Sequence, residues 1–304
     1  MTSKGKAVKR MKIKKSKEDK IFNIFLYGIA IIILIIVLYP MYFIIIASFS
    51  NPAEVAAGNI TFFPKGPTLK GYRKLAEYAQ LWVGYKNTIL YTVIGTLITL
   101  VTNIPAAYAL SRSDLYGRKF LTVFFLIPMF FTGGLIPTYL AIKQFQLLDN
   151  FWVMVLPFSV VTYYIVVART FFGNTLPEEL WESAQIDGCG TLTFFFKMVL
   201  PLSKAVLAVI ALWAAVGQWN SYFNALVYLR NPDLQPLQLV LRNILISNQT
   251  IVSMTTGAAA VEAKQTAELI KYAIIVISSL PIMCMYPFVQ KYFNKGVMLG
   301  SLKG

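Results

Sequence analysis

The sequence predicts an all-α integral membrane protein with six transmembrane helices and both termini in the cytoplasm. Three observations support this. Of the 304 residues, 57% are hydrophobic and 13% charged, against roughly 25% charged in a soluble domain. Six apolar stretches reach the roughly 20 residues that a helix needs to cross the hydrocarbon core. Much of the formal charge of +15 precedes the first of them, in MTSKGKAVKRMKIKKSKEDK, and a basic flank beside a span marks its cytoplasmic side.

Residues 1–20 form the basic tail and residues 21–304 the six-helix transmembrane domain. The first stretch, 21–50, exceeds the 7–15-residue core of a signal peptide and lacks a clear small-residue cleavage site after it, so it is read as a retained span. Next, TLKGYRKLAEYAQLW sets Tyr72, Leu75, Tyr78, Ala79 and Trp82 at helical steps, which predicts an amphipathic helix along the interface. The spans continue at 88–110, 120–142, 151–172, 205–229 and 269–289, nearly free of charge inside. With the tail inside, residues 111–119, 173–204 and the segment from 290 become cytoplasmic; Arg112, Arg118 and Lys119 agree with that placement. Residues 230–268 form a long extracellular segment. Proline and glycine interrupt several spans, and the Gly133, Gly134 and Pro137 cluster in TGGLIPTYL is read as a bend, either an ordinary kink or the lining of a path.

Composition also excludes functions. No histidine is present, which removes a Ser-His-Asp triad, a Cys-His dyad and H-E-x-x-H metal sites. Cys189 and Cys284 have neither disulfide density nor metal-ligand spacing. The charge is a topology signal and a lipid attraction, not a nucleic-acid surface. No catalytic residue, metal site or cofactor is expected on this chain.

The most informative loop is NTLPEELWESAQIDGCGTLTFFFKMVLP. Thr175 with Glu178 fits a capping box, Leu180, Trp181 and Ala184 share one face, and Asp187-Gly188 supplies a stop. By periodicity this is a short amphipathic helix between two spans, either a lever for a soluble partner or an ordinary interfacial helix. The pattern Glu182-Ser183-Ala184, then Asp187-Gly188, then Pro201 resembles the EAA loop of bacterial ABC importer permeases, with Ser183 where the middle alanine is usual. PAAYALSR at 105–112 and QKYFNKGVMLGSLKG at 290–304 resemble carbohydrate permeases. The run WNSYFNALVYLRNPDLQPLQLVLRNIL resembles the branch that handles complex oligosaccharides, including uronate-containing fragments.

The resemblance implies a type I importer in the bacterial plasma membrane. Its partners would be a second, homologous permease, two ATPase subunits and an extracellular lipid-anchored sugar-binding protein delivering an oligosaccharide. ATP and Mg would be bound by the ATPases, consistent with the lack of G-x-x-x-x-G-K-[ST] here. Glu182, Ser183, Ala184, Asp187, Gly188 and Pro201 would then couple transport to hydrolysis. In the fifth stretch Trp219 and Phe223, and Asn220 and Asn224, fall four residues apart. Rings stack on sugar C–H faces and amides exchange hydrogen bonds with hydroxyls, so these four, with Gly133 and Gly134, are candidate pathway residues; interhelical glue and interfacial aromatics would look the same. The rival class, an ion-coupled secondary transporter, usually needs an intramembrane ionisable residue, and the six span interiors contain no Asp or Glu.

Overall fold

The computed structural model describes residues 16–300. The readings of residues 1–15 and of the last four residues lie outside it, as do those resting on side chains at 288–300. Every regular element in the described range is helical: α1 (Lys17–Ser48), α2 (Pro52–Ala56), α3 (Lys70–Ala76), α4 (Ala79–Ser111), α5 (Arg118–Phe130), α6 (Leu135–Gln144), α7 (Thr162–Thr175), α8 (Glu178–Ile186), α9 (Thr191–Phe194), α10 (Leu200–Leu202), α11 (Lys204–Trp219), α12 (Tyr222–Tyr228), α13 (Leu237–Met254) and α14 (Ala258–Gly300). Single turns of 3-10 helix lie at Phe151–Met154 and Pro232–Leu234, and a π-helical segment at Phe195–Val199.

Three helices are long and apolar enough to cross a membrane, Lys17–Ser48, Ala79–Ser111 and Ala259–Met285, and two bent pairs raise the count to five. The third predicted span is one of these pairs: α5 and α6 meet at 115°. The break falls at Gly133-Gly134, and Gly134 sits at φ 82°, ψ −179°, a conformation essentially confined to glycine. The other pair is Thr191–Leu202 with α11, bent by 81° just after Pro201.

The fourth predicted span, 151–172, is not a continuous helix. Its first half is a 3-10 turn and irregular backbone, and α7 begins only at Thr162. Pro157 interrupts the stretch locally, and Asn103 of α4, fully buried, supplies partners to the freed backbone: its amide nitrogen donates to the carbonyls of Thr99 (2.6 Å) and Ser159 (2.7 Å), and its amide oxygen accepts from the Val161 N–H (2.9 Å). Thr162 Oγ1 adds a bond to the Phe125 carbonyl at 2.9 Å. Non-helical backbone is tolerated at membrane depth only where such partners exist.

Two further expectations change. The fifth stretch divides between α11 and α12 at Asn220-Ser221, so the four-residue stripes there do not run along one helix. The interfacial helix ends at Ala76, and Tyr78, in an extended conformation, resets the phase. Leu75 and Leu81 are consequently the buried positions and Trp82 faces outward.

The core lies around α4, which packs against α11, α7 and α13, while α14 lies against α13, α1, α11 and α3. Glycines allow the closest approaches. A Cβ on Gly84 would lie 3.1 Å from the Leu237 Cα of α13, and one on Gly71 3.0 Å from the Leu269 carbonyl of α14. By contrast α1 is apolar and exposed along most of its length, with only Ile46, Ala47 and Ser48 buried. In a membrane-spanning chain such a helix faces lipid or another subunit.

Candidate functional site

The loop singled out by sequence forms a bracket packed against one end of the bundle. Helix α7 stops at Thr175, Leu176 is extended (ψ 103°), and Pro177 stands at the N-cap of α8. The residue before a proline is pushed from helical to extended backbone, so the chain turns here. Thr175 is therefore the last residue of α7, not the cap of α8, and the expected capping box is absent: no side chain caps α8. Glu178 and Glu179 instead place negative charge at the positive end of the helix dipole.

At its other end α8 stops where expected. Gly188 is left-handed (φ 75°), its N–H donates to the Gln185 carbonyl at 2.9 Å, and the Cys189 N–H reaches the Ala184 carbonyl at 2.8 Å. These two bonds are those of a Schellman motif, which satisfies the last carbonyls of the helix.

The faces of α8 differ sharply. Trp181 and Ala184 are buried and Leu180 packs beside them, in a cluster with Tyr108 of α4, Phe172 of α7, Phe194 of α9 and Phe195 of the π-helical segment. The Trp181 ring meets Phe194 edge-on at 5.0 Å and carries the Arg112 guanidinium 4.8 Å from its centroid. Arg112 is held in turn by Asp114, Nε to Oδ1 at 3.1 Å and Nη2 to Oδ2 at 3.0 Å. This bonding to Arg112 keeps the Asp114 carboxyl below the usual carboxylate range. On the opposite face Glu182, Ser183, Gln185, Ile186, Asp187 and Gly188 are exposed, and Ile186 shows 86% of its surface. Sequence reasoning took Arg112 only as a topology charge; its place at the end of PAAYALSR, one helix away from Trp181 in space, carried no local signal.

Pro201 lies exposed in α10, between the π-helical segment and the 81° bend into α11. It is thus not on α8, but at the corner where the loop re-enters the bundle.

The candidate pathway residues are not brought together as one stripe. Trp219 is buried, packed among α13 and α14 side chains, and its indole N–H donates to the Ser278 carbonyl at 3.1 Å. A ring enclosed in this way presents no face for stacking. Asn220 is exposed and bonds the Val216 carbonyl of its own helix at 2.9 Å, Phe223 is half exposed, and Asn224 is partly buried. Gly133 and Gly134 are exposed at the α5–α6 bend. Among the described residues no group of His, Cys, Asp and Glu is placed to hold a metal ion, and Cys189 and Cys284 are unlinked.

A second bonded framework stands around residues 228–237. Asp149 accepts from the N–H groups of Asn231 and Arg230, both at 2.8 Å, which hold its carboxyl below the usual range. Asn87 donates to the carbonyls of Asp233 and Gln235, Tyr91 to that of Leu234, and Thr88 Oγ1 accepts from the Leu237 N–H at 2.7 Å. The segment between α12 and α13 is therefore fixed to α4 and to the loop after α6. None of these partners is legible from sequence, because 81 or more residues separate them.

Residues 79–299 match the model of a family described as "binding-protein-dependent transport system inner membrane component". The chain is similar to Protein LplC of Bacillus subtilis (strain 168), 38% identical over 95% of this chain and 97% of that one. It is also similar to the polygalacturonan/rhamnogalacturonan transport system permease protein YtcP of the same organism, at 36% over 94% and 100%. A chain from the crystal structure of a bacterial ABC transporter involved in the import of the acidic polysaccharide alginate superposes with a TM-score of 0.81, at 33% identity over 92% of this chain and 99% of that one.

Proposed function

The chain belongs to the family of binding-protein-dependent transport system inner membrane components, as a sugar permease subunit of a bacterial ABC importer, and from that premise we propose how it couples to ATP hydrolysis and what it carries. It is a non-enzymatic, multi-pass component of the plasma membrane, and its relatives are themselves transport permeases.

The observation that carries the coupling reading is the two-faced α8. Trp181 and Ala184 lock one face into the bundle, and Glu182, Ser183, Ile186 and Asp187 leave the other free. A helix held this way moves as a unit with α4 and α7, so a soluble subunit gripping its free face can rock the spans behind it. The ATPase subunit of the importer is that partner, with ATP and Mg bound there. Pro201 fixes the corner through which the motion enters α11. Counting each bent pair and the Phe151–Thr175 region as one crossing gives six and puts both termini on one side, and the basic sequence of the tail supports the cytoplasm as that side.

The cargo is an oligosaccharide of the complex type, including uronate-bearing fragments, supported by relatives named for polygalacturonan/rhamnogalacturonan transport and for alginate import. A second permease completes the cavity, and a lipid-anchored binding protein delivers the sugar. On this side Asn220, Phe223, Asn224 and the Gly133-Gly134 bend are the pathway candidates, while Trp219 serves packing.

The test is site-directed cross-linking in membranes. With Cys189 and Cys284 replaced by serine, Ser183→Cys should cross-link to the ATPase subunit, whereas Ala184→Cys, on the buried face, should not. Absence of any Ser183→Cys product in a complex that transports would reject the docking face.

A further inference from the structure

A cavity of about 930 Å³ opens at the end of the molecule that carries α8, between the loop after α4, the start of α5 and the later turns of α7. Arg118, Lys119 and Arg169 line it together with Thr122, and Phe120 and Val123 supply an apolar wall. No carboxylate lines this space. The loop's own acid, Asp114, has both oxygens committed to Arg112. Among the described residues none of the three cations makes an ion pair. Arg118 donates Nε to the Leu110 carbonyl at 3.1 Å, which orients its guanidinium and leaves the terminal nitrogens available.

Three cations sharing one mouth repel each other, and an anion relieves that repulsion. The start of the 13-residue α5 adds positive dipole at the same place. A soluble anion would leave the adjoining apolar surface bare: Phe120 is 73% and Val123 56% exposed. An anionic phospholipid covers both parts at once. We propose that this cavity holds one such lipid, its phosphate on Arg118, Lys119 and Arg169 and its acyl chains along Phe120 and Val123. Basic pockets between membrane helices are where anionic headgroups bind. The same loop carries Arg112, whose guanidinium lies on Trp181 of α8, so the bound lipid steadies the loop behind the coupling helix.

The intact transporter, purified in mild detergent with phosphatidylglycerol or phosphatidylcholine, is examined by native mass spectrometry. Retention of one phosphatidylglycerol, and not of phosphatidylcholine, is expected. Lys119→Gln, on an exposed side chain, should weaken retention about fivefold, and Arg118→Gln/Lys119→Gln/Arg169→Gln more than about tenfold. Arg118→Lys/Arg169→Lys, which keeps the charge, and Lys264→Gln, elsewhere on the surface, should leave it intact. The proposal is overturned if Lys119→Gln and the triple variant retain phosphatidylglycerol as the parent does, or if phosphatidylcholine is held equally. It is overturned as well if millimolar inorganic phosphate displaces the lipid fully, which marks a free-anion site, or if the intact complex holds no lipid there because a partner subunit covers the cavity.

Discussion

Asn103 is a single side chain that partners two backbone groups of the irregular chain between Phe151 and Thr162. Replacing it with leucine fills the volume but leaves the Ser159 carbonyl and the Val161 N–H without partners, at a cost of about 1–3 kcal/mol for each group. Asn103→Leu should therefore lower the melting temperature of the purified complex by several degrees, read by size-exclusion chromatography after heating; an unchanged midpoint would contradict the role assigned to it. Gly188 is constrained differently. Nothing lies within 4 Å of a Cβ there, so Gly188→Val meets backbone strain of about 1–2 kcal/mol at φ 75° and no clash. The variant should insert and assemble with the second permease yet lose uptake or the ATPase subunit; normal uptake with normal ATPase co-purification would refute this. Asp149 gives a pH dependence. The N–H groups of Asn231 and Arg230 hold its folded pKa below the unfolded value, so its contribution is complete above the ordinary carboxylate range and disappears as pH falls through the folded value. The stability difference between parent and Asp149→Asn should be present at neutral pH and shrink in acid; a difference independent of pH would show that the charge is idle.

At the scale of elements, α8 depends on one buried ring. Trp181→Ala removes the contacts with Phe194 and the Arg112 platform, a loss of about 3 kcal/mol by analogy with buried aromatic truncations. Uptake should fall steeply while the chain remains in the membrane, whereas retained coupling would mean α8 is held by something else. The end of this helix was readable because Gly188 acts locally on the backbone; its start was not, since the Thr175 capping reading gave way to the extended backbone that Pro177 imposes on Leu176. The bend of the third span at Gly133-Gly134 was legible as well, but the shapes of the fourth and fifth were not. Apolar length reports that a stretch can enter a membrane, but not whether a distant amide lets it do so without helix. Asn103, 56 residues from Ser159, is the instance here. The Trp219 and Phe223 pairing failed for a related reason: four-residue spacing means a shared face only on an unbroken helix, and α11 ends between them.

For the molecule as a whole, apolar length, the lack of histidine and the loop from Glu182 to Pro201 carried the class and the role, and the family match agrees with both. What sequence could not supply is how the two ends of the bundle are built. One end joins α8 to α4 and α7 through Arg112 and Trp181; the other ties residues 228–237 to α4 and Asp149. Between them the α5–α6 bend at Gly134 and the corner after Pro201 replace straight rods with bent helix pairs. On the proposed reading, transport takes its energy from outside this chain. The most direct measurement is oligosaccharide uptake into proteoliposomes holding this chain with its co-purified subunits, the binding protein outside. Uptake should require ATP and Mg on the ATPase side and be indifferent to a proton or sodium gradient. Uptake driven by an ion gradient without ATP would contradict the account.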